Sequence, residues 1–140
     1  MKECNKSTGA CFTGDTLIVM MDGSSKKIKD IQIGEETSCG MVTGTFATMI
    51  QDSLYDVDGI QVTADHPLKI GDEWFFAKDV GIKYLTVGSI VVYDIITPTH
   101  RIQVEGYTNL YIFADYEGQG TESDTWLEAC KSEYIRLNAN

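Results

Sequence analysis

The chain has 140 residues, 43 % of them hydrophobic and 10 % aromatic, which suits one globular domain with a single modest core. Its 11 basic residues against 21 acidic ones leave a net charge of −10, a field that repels a phosphate backbone and argues against a nucleic-acid partner. No window approaches the roughly 20 apolar residues that span a bilayer, and the opening MKECNKSTGA lacks the apolar core of a signal peptide, so no membrane partner is expected.

The four cysteines (Cys4, Cys11, Cys39 and Cys130) are far apart and show no CxxC spacing. That pattern fits reduced thiols in a cytoplasmic or otherwise intracellular reducing setting better than a disulfide scaffold, and signals no structural zinc. A monomer without cofactor or metal is the expectation.

In chain order, residues 1–10 form a polar arm, and Cys11 opens the first strand-rich stretch in the string ACFTGDTL. Short runs rich in alternating, β-branched or aromatic residues follow at Thr16–Met21, Lys27–Ile33, Leu54–Val57, Gly59–Thr63 and Ser89–Ile96. Turn signals at Asp22-Gly23, Asp58-Gly59 and Gly71-Asp72 stand between strand-like runs, where hairpin reversals need them. The pattern predicts an all-β fold.

A shift of 49 residues lays Leu17–Gly34 over His66–Lys83, matching Lys29 to Lys78, Asp30 to Asp79 and Ile33 to Ile82. Each half then reads as a hairpin followed by a short polar-apolar segment that returns to the core. After Asp115, a linker over Tyr116–Gly120 leads to TESDTWLEACKSEYIRL. There Trp126, Leu127, Cys130, Tyr134, Ile135 and Leu137 fall near one helical face, and Thr125 with Glu128 offers a capping box, so a short packing helix is predicted. The expected organisation is an arm over 1–10, a domain over 11–115, and a linker with tail helix over 116–140.

Two groups could carry chemistry. The Cys11 thiol is a natural nucleophile against a carbonyl, although a lone cysteine among strands also serves as a small buried apolar residue. The string Thr63-Ala64-Asp65-His66 follows a strand and precedes Pro67, read as ending the local ladder. An imidazole there can protonate a departing amide nitrogen, and a hydroxyl three residues earlier can orient the scissile amide or donate to an oxyanion.

Taken together, CFTGDTLIVMMDGSSKKIKDIQIGEE, VTADHPLKI about 50 residues on, VVYDI and FAD resemble the Hint family of inteins, hedgehog autoprocessing domains and bacterial intein-like domains. The resemblance runs from about Cys11 to Asp115 and is close to short Hint modules of phage and large-virus proteins. It implies a horseshoe-shaped all-β fold with pseudo-two-fold halves. It also implies that Cys11 attacks the carbonyl of Ala10 in an N-to-S acyl shift, with Thr63 and His66 assisting. The partners are then the chain's own N-terminal segment and a thiol, water or other nucleophile that resolves the thioester.

The sequence departs from a splicing intein, whose end is His-Asn followed by Cys, Ser or Thr. Asn5, Asn109 and Asn138 precede Lys6, Leu110 and Ala139, and Asn140 is last, so cleavage or transfer at the N-terminal junction is expected instead of full splicing. The late histidine that the family often carries near Tyr107-Thr108-Asn109 is missing. His100 is its substitute as a secondary catalytic candidate, or else an ordinary strand residue.

Asp65 either orients the His66 imidazole or caps its turn; Asp58 either deprotonates a nucleophile or forms its Asp-Gly turn. Asp94 and Asp115 match family positions without a legible role, and Cys39 and Cys130 read as structural. Two further readings compete with autoprocessing: a catalytically silent Hint-fold interaction module, for example of a virion, and a metal site of Cys11, His66 and His100.

Overall fold

The computed structural model describes residues 11–51, 53–84 and 88–116. The arm over 1–10, with Ala10, and the predicted tail helix lie outside the described residues. The described chain forms β1 (Phe12–Thr13), β2 (Leu17–Val19), β3 (Ser25–Lys27), β4 (Glu36–Thr37), β5 (Gly40–Met41), β6 (Gly44–Ile50) and β7 (Leu54–Val57). It continues with β8 (Ile60–Thr63), β9 (Pro67–Ile70), β10 (Glu73–Phe76), β11 (Ile82–Tyr84), β12 (Ile90–Ile96), β13 (Arg101–Glu105) and β14 (Leu110–Ala114). One short helix, α1 (Ala77–Val80), interrupts them.

One six-stranded sheet runs β11-β7-β8-β1-β12-β6, a second runs β10-β9-β14-β13-β2-β3, and β4 pairs with β5. All of these pairings are antiparallel, as the all-β reading requires.

The internal repeat is visible in the second sheet, where hairpins β2–β3 and β9–β10 flank the central pair β13–β14 from opposite edges. Each hairpin runs into one turn of helix, the first a 3-10 turn at Ile28–Asp30 and the second α1. Lys27–Ile33 is therefore not a strand. Ile28 and Ile31 are both buried, and their three-residue spacing puts them on one side of a 3-10 turn, where a strand would have sent them to opposite faces.

Pro67 also departs from its reading: it starts β9 opposite Phe76 and does not end a ladder. The first position of a strand tolerates a missing N–H. At the β7–β8 reversal, Asp58 and Gly59 both have positive φ (52° and 85°), and Val57 faces Ile60 across the turn. Two left-handed residues in a two-residue loop match the twist of the flanking strands, which is why Asp-Gly suits this turn.

The main core gathers Phe12, Ile18, Ile28, Val62, Leu68, Ile95, Ile102, Val104 and Phe113, contributed by both sheets. A smaller cluster joins Cys11 to Phe46, Leu54 and Val92, with Tyr116 stacked on Phe46. The first strand thus enters the molecule between the two clusters, and its leading residue, Cys11, is fully buried.

Candidate functional site

Cys11 sits immediately before β1, which lies between β8 and β12. Phe12 pairs with Val62 on one side and Tyr93 on the other; continuing both registers by one residue sets Cys11 beside Thr63 and Asp94. The contacts on the Thr63 side are direct. Thr63 N–H donates to the Cys11 carbonyl at 3.0 Å, and Cys11 N–H donates to Thr63 Oγ1 at 2.7 Å. The hydroxyl approaches the Cys11 carbonyl at 3.3 Å. A side-chain oxygen, not a strand carbonyl, therefore holds the amide nitrogen of the predicted scissile bond.

His66 lies on the turn that leaves β8, its backbone N–H bonded to the Thr63 carbonyl at 3.3 Å. Its ring is fully buried and caged by Phe12 and Phe113, with centroids 4.4 and 5.3 Å away. Nε2 is 2.8 Å from the Ala114 carbonyl. A carbonyl can only accept, so Nε2 carries the proton and Nδ1 presents a lone pair.

No hydrogen bond reaches Nδ1. Burial pushes the His66 pKa down to about 4, against the smaller opposing pull of the Ala114 and Cys11 carbonyls. The Cys11 carbonyl is thus close enough to favour a protonated ring, although no well-formed bond joins the two. At neutral pH the imidazole is an uncharged base with one free nitrogen.

The other sequence candidates are placed differently. Asp65 turns outward to an ion pair with Lys78 at 2.9 Å, away from the imidazole it was a candidate to orient. His100 is not a strand residue: it occupies the β12–β13 turn with φ of 57°, and Nδ1 lies 3.1 Å from Asp115 Oδ2. Asp115 is fully buried and also accepts the Thr97 amide at 3.0 Å, so its carboxylate ties the turn to the end of β14.

Asp58 Oδ2 accepts the amides of Thr108 and Asn109, the Thr108 hydroxyl and the Tyr111 hydroxyl. Those donors, the Thr108 amide foremost, hold its pKa below the usual carboxylate range. Asp58 fastens the β13–β14 loop to the β7–β8 turn. Tyr107 completes that fastening, its ring covering Gly59.

Cys11 is disulfide-bonded, while Cys39 is a free thiol whose pKa is raised by burial. The expectation of reduced cysteines throughout is corrected on this point. Among the described residues, no three His, Cys, Asp or Glu side chains gather as metal ligands, and no helix is long and apolar enough to cross a membrane.

Sequence reasoning left Asp94 without a role, yet the register brings this 1 %-exposed residue alongside Cys11. The available signal was an acidic residue inside the otherwise apolar run IVVYDII.

A family model described as Vint, a Hint domain, matches residues 10–114. The chain belongs to the Hint-domain family. Its fold is shared with the bacterial intein-like domain from Clostridium thermocellum (TM-score 0.64, 17 % identity, covering 76 % of this chain and 98 % of that one). It is also similar to the Ssp DnaB mini-intein variant M86 (TM-score 0.57, 16 % identity, 76 % and 95 % covered). A splice-inactive, glutathione-linked variant of the AceL NrdHF class 3 split intein aligns with TM-score 0.56 at 12 % identity, over 75 % and 97 % of the two chains. A search of curated proteins by sequence finds no match. In this Hint domain the Thr63 side chain and the His66 ring lie against the Cys11 backbone, whereas Asp65 pairs with Lys78 and His100 lies beside Asp115.

Proposed function

We propose that this Hint domain processes itself by an N-to-S acyl shift at Ala10–Cys11, and that the thioester is resolved by cleavage or transfer. The observation that carries the reading is the pair of groups on one residue: Thr63 Oγ1 holds the Cys11 amide nitrogen, and neutral, buried His66 lies beside the same backbone.

Once reduced, the Cys11 thiol gives its proton to His66 Nδ1 and its sulfur attacks the Ala10 carbonyl carbon. The tetrahedral adduct collapses as the Ala10 carbon–nitrogen bond breaks, and the proton on Nδ1 passes to the departing Cys11 nitrogen. The products are a thioester on Cys11 and a free Cys11 amine. A ring with a pKa near 4 releases a proton readily, which suits it to the second half of this exchange. Burial of the hydroxyl and ring keeps water from competing for either contact.

Thioester formation from an amide is uphill, so a second nucleophile must draw it forward. Lys6, Leu110 and Ala139, which follow three of the asparagines, are not the Cys, Ser or Thr that accepts the acyl group in splicing.

The test is intact-mass analysis of the full chain at neutral pH, first reduced with a phosphine that frees Cys11 but does not accept acyl groups, then given hydroxylamine or dithiothreitol. Loss of residues 1–10 on adding the nucleophile, absent in Cys11→Ala, is expected. An unchanged mass in the reduced protein with either nucleophile refutes the reading and leaves a Hint-fold interaction module as the better account.

A further inference from the structure

On the second sheet, the face turned away from the main core carries a cluster that the self-processing site does not use. Arg101 faces Ala114 in register, Ile112 faces Lys69, and Lys69 faces Trp74. Trp74 and Ala114 pack together with Ile112 beside them, and the Arg101 guanidinium carbon sits 5.0 Å from the centre of the Trp74 ring.

Arg101 is 1 % exposed and among the largest fully buried side chains. Its Nη1 approaches the His100 carbonyl at 3.5 Å, but Nε and Nη2 have no hydrogen-bond partner, and Trp74 Nε1 has none either. A guanidinium stays charged at any pH the fold survives, and a buried charge left without an acceptor is strongly unfavourable.

Nε and Nη2 belong to the same edge of the guanidinium. Their N–H bonds point the same way, at the spacing that matches the two oxygens of one carboxylate. The guanidinium lies over the Trp74 ring, and the indole N–H is a further donor without a partner. The donors form an acceptor site of defined shape, and the chemistry it selects is a planar, two-oxygen anion.

We propose that Arg101, stacked on Trp74, is a carboxylate-binding site of this domain, separate from the Cys11 chemistry. Arg101 directly follows His100, and its partner Ala114, the last residue of β14, directly precedes Asp115. A carboxylate seated there fixes the β13–β14 pair at the end that also supplies the carbonyl to His66. Two sources share this chemistry: the chain's own Glu117, Glu122, Asp124, Glu128 and Glu133, and a carboxylate on a separate molecule.

Arginine-selective NMR on the full 15N-labelled chain separates them, because Arg101 and Arg136 are the only two arginines and Arg136→Lys leaves a single Nε–H signal. A downfield, slowly exchanging Arg101 Nε–H that reverts when those five residues become amides identifies the chain itself as the source. A signal that moves saturably with sodium acetate, and not with equal sodium chloride, identifies a separate carboxylate. A signal that responds to neither change overturns the proposal, whether it exchanges fast or slowly.

Discussion

Acidification through His66 offers a test of the site that does not depend on turnover. The ring is fully buried and its pKa is about 4, against 6.5 for an ordinary histidine, so the unfolded chain binds the proton more tightly than the folded one. Stability from this residue is therefore complete above about pH 6.5 and is lost as pH falls towards 4. The gap of 2.5 pKa units corresponds to about 3 kcal/mol at full protonation of the unfolded chain, of which about 2 kcal/mol is gone by pH 5.

The assay is urea unfolding at pH 7 and pH 5 of two proteins, Cys11→Ala and Cys11→Ala with His66→Gln. The shared Cys11→Ala change prevents cleavage in both. Glutamine keeps a donor for the Ala114 carbonyl but cannot take a proton. The two proteins differ only at position 66, so the difference between them isolates His66. The histidine protein should lose about 2 kcal/mol more than the glutamine protein. Equal losses would show that the ring is neither buried nor depressed in pKa, and the proton path drawn through Nδ1 would fall with it.

Two further outcomes follow from the same geometry. Thr63→Val keeps the shape of the side chain but leaves the buried Cys11 N–H without its acceptor, so it should cost about 1–3 kcal/mol by chemical denaturation and slow cleavage by mass analysis, with Thr63→Ser largely restoring both. Gly59→Ala forces a methyl group to within 2.5–2.7 Å of the Tyr107 ring at a φ of 85°; a loss of about 1–3 kcal/mol is expected, and part of it should return in Gly59→Ala with Tyr107→Ala.

The local grammar of the chain was legible without its fold. Asp58-Gly59 announced a tight hairpin because few other pairs accept positive φ at both positions, and the structure places both there. Leu54–Val57 and the core of Ser89–Ile96 became strands, as short runs rich in β-branched and aromatic residues between turn signals suggest. The 49-residue repeat reappears as two hairpins that each end in a helical turn. Lys27–Ile33 was misread because so short a run carries both periods, Ile31 and Ile33 two apart as in a strand and Ile28 and Ile31 three apart as in a 3-10 turn, and burial of Ile28 and Ile31 against the core decides it.

Candidates for chemistry could be picked out at Cys11 and the Thr63–His66 turn, since thiol, hydroxyl and imidazole are reactive groups. Which of them meet could not. Asp65 adjoins His66 in sequence yet pairs with Lys78, whereas Asp94 is 83 positions from Cys11 and becomes its neighbour through the β1–β12 register. Strand pairing is a long-range choice made by the whole core, and so is the burial that makes His66 a neutral base and leaves one edge of Arg101 without an acceptor. Sequence determined the vocabulary of reactive groups and turns; the sheet registers and the desolvation they impose decided which groups lie together, because protonation and contact depend on surroundings that no local pattern encodes.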